Sequence, residues 1–202
     1  MLASAGAIRG EAEAYSFEPK MDGWRATVSV AAGRLVVRTR NAHDVTASVP
    51  ELRPLEGAFF GRSVVLDGEL VAHKGTPSSF YRLSGRMAAK RPVAVDVARQ
   101  RTPATFVAFD VLWLDKDVTA LPYTERRAIL QGLDLAGPAW CTISAFPGAG
   151  AELFAACDQL GLEGLVAKRL DSRYEPGVRS KHWIKAKCAA WLHDHASHRH
   201  ER

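Results

Sequence analysis

Cysteine is scarce in this sequence. The three present, Cys141, Cys157 and Cys188, are odd in number and too widely spaced for a paired metal-binding motif. No disulfide framework is implied, and reduced thiols in a reducing compartment fit better. Nowhere do about 18 apolar residues run together, so no membrane-crossing helix is expected. The opening Met-Leu-Ala-Ser-Ala-Gly-Ala-Ile has no basic leader before its short apolar stretch, which argues against a secretory signal. These absences predict a cytoplasmic protein with no membrane partner. Collagen, coiled-coil and low-complexity patterns are missing, as is any internal repeat. What is present, 47% hydrophobic and 24% charged residues in a 202-residue chain, is the usage of one ordinary globular domain.

The formal charge is +5, modestly basic and compatible with a polyanionic partner. The excess is uneven: between Glu163 and Lys187 there are seven basic residues against three acidic.

Ala26 to Val30 and Leu35 to Thr39 are rich in apolar and β-branched residues and flank Ala31-Ala32-Gly33-Arg34, which predicts a hairpin. Further strands are expected at Ser63 to Leu66, Glu69 to Ala72, Thr105 to Leu114, Leu165 to Lys168 and His182 to Ala186. Helical patterns fall at Ser78 to Met87, Thr124 to Leu133 and Ala151 to Leu160. In the last of these, Leu153, Phe154, Cys157 and Leu160 share a face and Gly161 supplies a stop. Regular βαβ alternation is absent, so the expected class is α+β with largely antiparallel sheets. Gly132 to Gly150, with two prolines and four glycines, reads as a loop-rich connection inside the domain. After Lys187 the chain is polar, and His193, His195, His198 and His200 sit in a tail expected to be disordered.

The sharpest chemical feature is Glu18-Pro19-Lys20-Met21-Asp22-Gly23-Trp24-Arg25, a Lys-x-Asp-Gly-x-Arg pattern. Burial and neighbouring positive charge expose a lysine's amine lone pair, and such an amine can attack substrate and become covalently attached to it. The plainer alternative is a turn at Asp22-Gly23 that leaves Lys20 and Arg25 solvated. Other short motifs follow in order: Arg40-Asn41-Ala42-His43-Asp44-Val45-Thr46, Leu66-Asp67-Gly68-Glu69-Leu70, Phe106 to Leu112 with Phe109 embedded, Glu163-Gly164-Leu165-Val166-Ala167-Lys168, and Trp183-Ile184-Lys185-Ala186-Lys187. Spaced two apart in a strand, Lys185 and Lys187 point to one face.

On these motifs the chain resembles the adenylation domain of ATP-dependent DNA ligases, in the covalent nucleotidyltransferase superfamily and of bacterial, actinobacterial type. The resemblance runs from about Met1 to Lys187, and Leu121-Pro122-Tyr123-Thr124-Glu125-Arg126-Arg127 also fits it. It implies two antiparallel sheets with flanking helices around a nucleotide cleft. It further implies that Lys20 attacks the α-phosphate of ATP, releases pyrophosphate and carries AMP as a phosphoramidate. Lys185 and Lys187 then hold the α-phosphate, because attack on an anion needs neighbouring cations. Glu163 is the implied ligand for Mg²⁺ or Mn²⁺, with Glu69 near the ribose or the metal. Phe109 stacks on adenine, Glu18 lies near the base edge, Arg25 near the ribose, and Lys168 adds a phosphate contact. Arg40 engages ribose or the 5′-phosphate of a nick.

The implied partner is nicked double-stranded DNA, approached by Arg169, Arg173, Arg179 and Lys181. Alternatives in the residues themselves stay open: Phe109 as core, Lys168 as surface charge, Lys185 and Lys187 as protection of a strand edge, and the arginines as a solvated face.

Two departures from the family pattern are visible. Ala42 stands where glycine is usual, and Lys116 follows Leu114-Asp115 where glycine is common. Family members also continue into an OB-fold domain, whereas 202 − 187 = 15 residues follow Lys187 here, too few for a five-stranded barrel. The expectation is therefore a domain over 1–187, a tail over 188–202 and no OB fold, with a separate OB-fold protein as the partner able to supply that function. Competing readings are a noncatalytic nucleotide- or nick-binding remnant and an RNA ligase or capping-type nucleotidyltransferase.

Overall fold

Alternation of apolar and polar residues builds eleven strands among the described residues, which are 1–6, 10–72, 79–89 and 91–194 of this computed structural model. In chain order they are β1 (Leu2–Ala5), β2 (Tyr15–Pro19), β3 (Trp24–Ala31), β4 (Arg34–Thr39), β5 (Val64–Val71), β6 (Thr105–Leu114), β7 (Ala136–Gly137), β8 (Trp140–Thr142), β9 (Phe146–Pro147), β10 (Gly164–Arg169) and β11 (Arg179–Lys187). The helices are α1 (Leu55–Ala58), α2 (Ser79–Ala88), α3 (Pro92–Arg101), α4 (Tyr123–Gly132), α5 (Gly150–Gln159) and α6 (Ala189–Asp194). The class is α+β, as the sequence predicts. Among the described residues no helix is long and apolar enough to cross a membrane.

The chain divides into two compact units. The first takes Met1–Met21, Leu121–Thr124 and the chain from Ile143 onward, and it holds a five-stranded sheet in the order β1-β11-β10-β2-β9. All its pairs are antiparallel except β1 with β11. Odd positions of β2 and β10 and even positions of β11 supply one apolar face. There Tyr15, Phe17, Leu165, Ala167 and Ile184 close on Leu153 and Cys157 of α5 and on Cys188. Full burial of such side chains contributes about 1.5–3 kcal/mol each, so this face fixes which way the opposite face must point.

The second unit, Asp22–Ala120 with Glu125–Thr142, holds a six-stranded sheet in the order β4-β3-β5-β6-β8-β7. The predicted hairpin is β3–β4, paired from Ala26↔Thr39 to Ala31↔Arg34 and closed by Ala32-Gly33. Ala26, Val28, Val30, Leu35, Val37, Leu66, Leu70 and Phe106 are all buried on or beside this sheet.

Several expectations need correction. Asp67-Gly68 does not separate two strands; β5 runs through it with register shifts at Val65/Leu66 and Asp67/Gly68. Gly68 is required by close packing, because a Cβ there would lie 2.5 Å from the Phe106 ring. Leu160 does not share the buried face of α5; it sits past the helix end and is 72% exposed. The segment Gly132 to Gly150 contains β7, β8 and β9 and the division between units after Thr142. Residues 189–194, expected as disordered tail, form α6, whose Trp191 packs on the first unit's apolar cluster. Ser78, His195, His198 and His200 lie outside the described residues. The thiols of the three free cysteines are all pushed upward in pKa by burial, that of Cys188 to about 11 with help from the Asp158 charge.

Candidate active site

The polar face of the five-stranded sheet gathers the reactive side chains. Strand register sets them in cross-strand rows: Ser16, Lys168 and Trp183 in one, Glu18, Val166 and Lys185 in the next. In a third, the Lys20 N–H donates to the Gly164 carbonyl at 2.8 Å, and Gly164 pairs with Lys187 on its other side. The middle of that third row carries no side chain. Gly164 has φ +142°, and a Cβ there would come within 2.0 Å of the Ala186 carbonyl oxygen, so only glycine fits.

Glu163, just before this glycine, reaches both lysines. Its Oε2 lies 2.6 Å from Lys20 Nζ and its Oε1 lies 2.7 Å from Lys187 Nζ. The carboxylate is buried and the two ammonium groups are partly exposed. Lys187 Nζ also sits 4.2 Å from the centre of the Trp191 ring. Burial, reinforced by the charges of Lys20, Lys187 and Arg179 and opposed by Glu163, holds the Lys185 ammonium below the usual lysine pKa. A positively charged patch that disfavours its own charge is suited to receive an anion.

One row away, Glu18 is buried with both oxygens engaged. Oε1 accepts from the Tyr123 hydroxyl at 2.7 Å and Oε2 pairs with Lys168 Nζ at 2.8 Å. Lys168 is itself 1% exposed, its Nζ 4.2 Å from the Trp183 ring centre and 5.3 Å from that of Tyr123. The surface-charge reading of Lys168 is thereby overturned. Its ammonium is directed at Glu18, where the sequence suggested a phosphate contact.

On the six-stranded sheet Arg25 forms a two-pronged pair with Asp67, Nε to Oδ1 at 3.0 Å and Nη2 to Oδ2 at 2.5 Å. Arg25 pairs with Glu69 in the strand register, and its guanidinium lies 5.3 Å from the centre of the Phe109 ring. Phe109 is the extra residue of a β-bulge: Asp67 pairs with Asp110 and Gly68 with Ala108, leaving Phe109 unmatched and half-buried. Bulges re-aim side chains, which is why a phenylalanine in an apolar strand escapes the core. Arg40 is exposed at the end of the hairpin, its N–H donating to the Arg25 carbonyl at 3.2 Å.

Among the residues assigned to DNA, Arg173, Arg179 and Lys181 are exposed on or before β11. Arg179 Nη1 donates to the Ala3 carbonyl at 2.9 Å, and Arg169 is held by Asp171 through two hydrogen bonds. Sequence reasoning gave no role to Tyr123 or Asp67. Both act through partners distant in the chain, and no local pattern pointed to either.

No three or more His, Cys, Asp or Glu residues cluster as a ready-made metal cage among the described residues. Mg²⁺ needs none: it commonly takes one or two carboxylates and completes its shell with phosphate oxygens and water. Glu163, with both oxygens turned to partly exposed groups, fits an ion that arrives with a triphosphate.

Comparison with known proteins identifies the family. The family model described as ATP dependent DNA ligase domain matches residues 1–187. The multifunctional non-homologous end joining DNA repair protein LigD of Mycobacterium tuberculosis is 38% identical over 192 residues, covering 93% of this chain and 23% of that protein. DNA ligase C1 of Mycolicibacterium smegmatis is 34% identical over 204 residues, covering 94% of this chain and 58% of that one. The chain thus spans less than two thirds of either relative's length. The structure of mycobacterial DNA ligase D complexed with ATP and MES superposes with a TM-score of 0.75 at 35% identity, covering 92% of this chain and 58% of that one. With the family model matching nearly its whole length, the chain belongs to the ATP-dependent DNA ligase family and corresponds to its adenylation domain.

Proposed function

We propose that this domain binds ATP and transfers AMP to its own Lys20. The observation that carries the reading is the Glu163 carboxylate bridging Lys20 and Lys187, with Lys185 on the same face. The Lys20 amine forms the P–N bond to the α-phosphate while the bond to pyrophosphate breaks. Glu163 Oε2, 2.6 Å from Nζ, is the nearest acceptor for the proton that Lys20 must lose. Lys185 and Lys187 offset the negative charge gathering on the phosphate. Glu163 would hold a divalent cation on this face, with Glu69 a further ligand only as the resemblance implies, and the ion would supply additional charge neutralisation for the phosphates. Glu18, Arg25, Arg40 and Phe109 contribute adenosine contacts in this reading, and Lys168 serves through Glu18.

Activated AMP then passes to the 5′-phosphate of a DNA nick, and the adjoining 3′-hydroxyl displaces it. Arg40, Arg173, Arg179 and Lys181 approach the DNA backbone, with Arg169 beside them.

The test is incubation of the chain with ATP labelled at the α-phosphate, plus Mg²⁺. Covalent label that survives denaturation and is lost in Lys20→Ala, but kept in Lys116→Ala, is the expected result. Failure of the wild type to label would sink self-adenylation, and labelling by GTP in place of ATP would point to capping-type chemistry.

A further inference from the structure

The Glu18 carboxylate is held more firmly than a structural ion pair requires. Lys168 comes from β10, one row along the strands, and Tyr123 comes from the start of α4, far away in sequence. Tyr123 acts twice: its hydroxyl donates to Glu18 Oε1, and its ring flanks the ammonium that holds Oε2. Glu18, Tyr123 and Lys168 are each at most 2% exposed, so water competes little for these bonds. A carboxylate gripped at one oxygen can still pivot; one gripped at both oxygens by groups on separate elements cannot.

We infer that Tyr123 and Lys168 are positioning residues that lock Glu18 as the reader of the nucleobase edge, making the domain selective for adenine over bases that carry a carbonyl at the same place. This rests on the nucleotide-binding reading above. Adenine offers an amino donor at C6 beside an unprotonated ring nitrogen, whereas hypoxanthine offers a carbonyl oxygen there and an N–H on the adjacent ring atom. A fixed carboxylate accepts from the amino group and is repelled by the carbonyl. A carboxylate free to swing would move to the neighbouring N–H and accept either base. Discrimination between adjacent atoms of the base therefore depends on the residues behind Glu18 as much as on Glu18 itself.

The experiment is titration calorimetry of the full chain with ATP and, separately, inosine triphosphate. The wild type should bind ATP more tightly. Tyr123→Phe keeps the ring beside Lys168 and removes only the hydroxyl, and it should lower the ATP-to-inosine-triphosphate affinity ratio about tenfold, the scale of one hydrogen bond to a charged group. Lys168→Met should shift the ratio the same way, giving a second variant should either fold poorly. A purely structural role would weaken both ligands together and leave the ratio unchanged, which overturns the inference, as does a wild type that binds both nucleotides equally. A wild type that binds neither overturns the nucleotide-binding reading, and this inference with it.

Discussion

The two sheets handle charge in opposite ways. On the six-stranded sheet's unit four arginines are each matched to a carboxylate: Arg25 with Asp67, Arg126 with Asp110, Arg86 with Glu51, Arg62 with Asp115. On the polar face of the five-stranded sheet, four lysines, Lys20, Lys168, Lys185 and Lys187, share two carboxylates among the described residues: Glu163 pairs with Lys20 and Lys187, and Glu18 with Lys168. Matched pairs organise a frame and are complete without a ligand. A surplus of one sign costs folding free energy and is offset when a counter-charge arrives. The imbalance, more than any individual lysine, is what supports the proposed binding of a polyphosphate on this face.

If that contrast is right, breaking a matched pair should damage the fold, and trimming the surplus should damage function alone. The largest effect is expected at Asp110. Arg126 is fully buried and bound to both Asp110 oxygens, at 2.9 and 3.0 Å, and Asp110 Oδ1 also accepts from the Val111 N–H. Asp110→Ala strands a buried guanidinium and should cost about 3–5 kcal/mol in urea unfolding. A loss below about 1 kcal/mol, the scale of an exposed pair, would contradict the assignment of this pair to the frame.

Trimming the surplus is expected to act the other way. Lys185→Gln should slow self-labelling about 10²-fold, the scale of one lost charge-stabilising donor, without lowering the melting temperature of the nucleotide-free chain. The pH dependence gives the sign. The folded state holds the Lys185 proton less tightly than the unfolded chain, whose lysine titrates near the ordinary 10.5. Between the lowered folded value and 10.5 the unfolded state binds more protons, so stability from this group rises with pH there and is lost as pH falls through the folded value. Wild type should therefore gain on Lys185→Gln in unfolding free energy as pH climbs toward 10.5. A flat difference would mean Lys185 feels no surplus.

Much of this contrast was legible before any coordinates. The hairpin β3–β4, the long strand β6, the strands β10 and β11, and helices α2, α4 and α5 announce themselves through periodicity and turn residues. Lys20, Lys187 and Glu163 do meet. What stayed hidden depends on register. β2 reads poorly because Ser16, Glu18 and Pro19 interrupt its apolar positions, and those inward polar residues make sense only once Lys168 is seen opposite. α3 buries only Val95, leaving little periodicity to find. Asp67-Gly68 looks like a turn by composition; the Arg25 pair and the Phe106 ring hold it in a strand. The buried partners Tyr123, Asp67 and Arg126 are joined to theirs across long stretches of chain, which no local pattern encodes.

The smallest expected effect separates strain from function. Ala42, where the family pattern has glycine, adopts φ +62°, with its N–H donating to the Thr39 carbonyl at 2.9 Å. An alanine pays roughly 1–2 kcal/mol for this left-handed conformation, whereas glycine adopts it freely but brings a more disordered unfolded chain. The turn bond fixes the conformation whichever residue is present, so the two terms partly cancel. Ala42→Gly should leave a gain of about 0.5–1 kcal/mol. The gain should appear as a higher urea midpoint with an unchanged slope, and self-labelling should not alter, since the strain sits in a turn and the surplus charge on the other unit's sheet. A stabilised variant that labels more slowly would show that this turn's strain helps present the neighbouring Arg40, and the division between frame and surplus would need redrawing there.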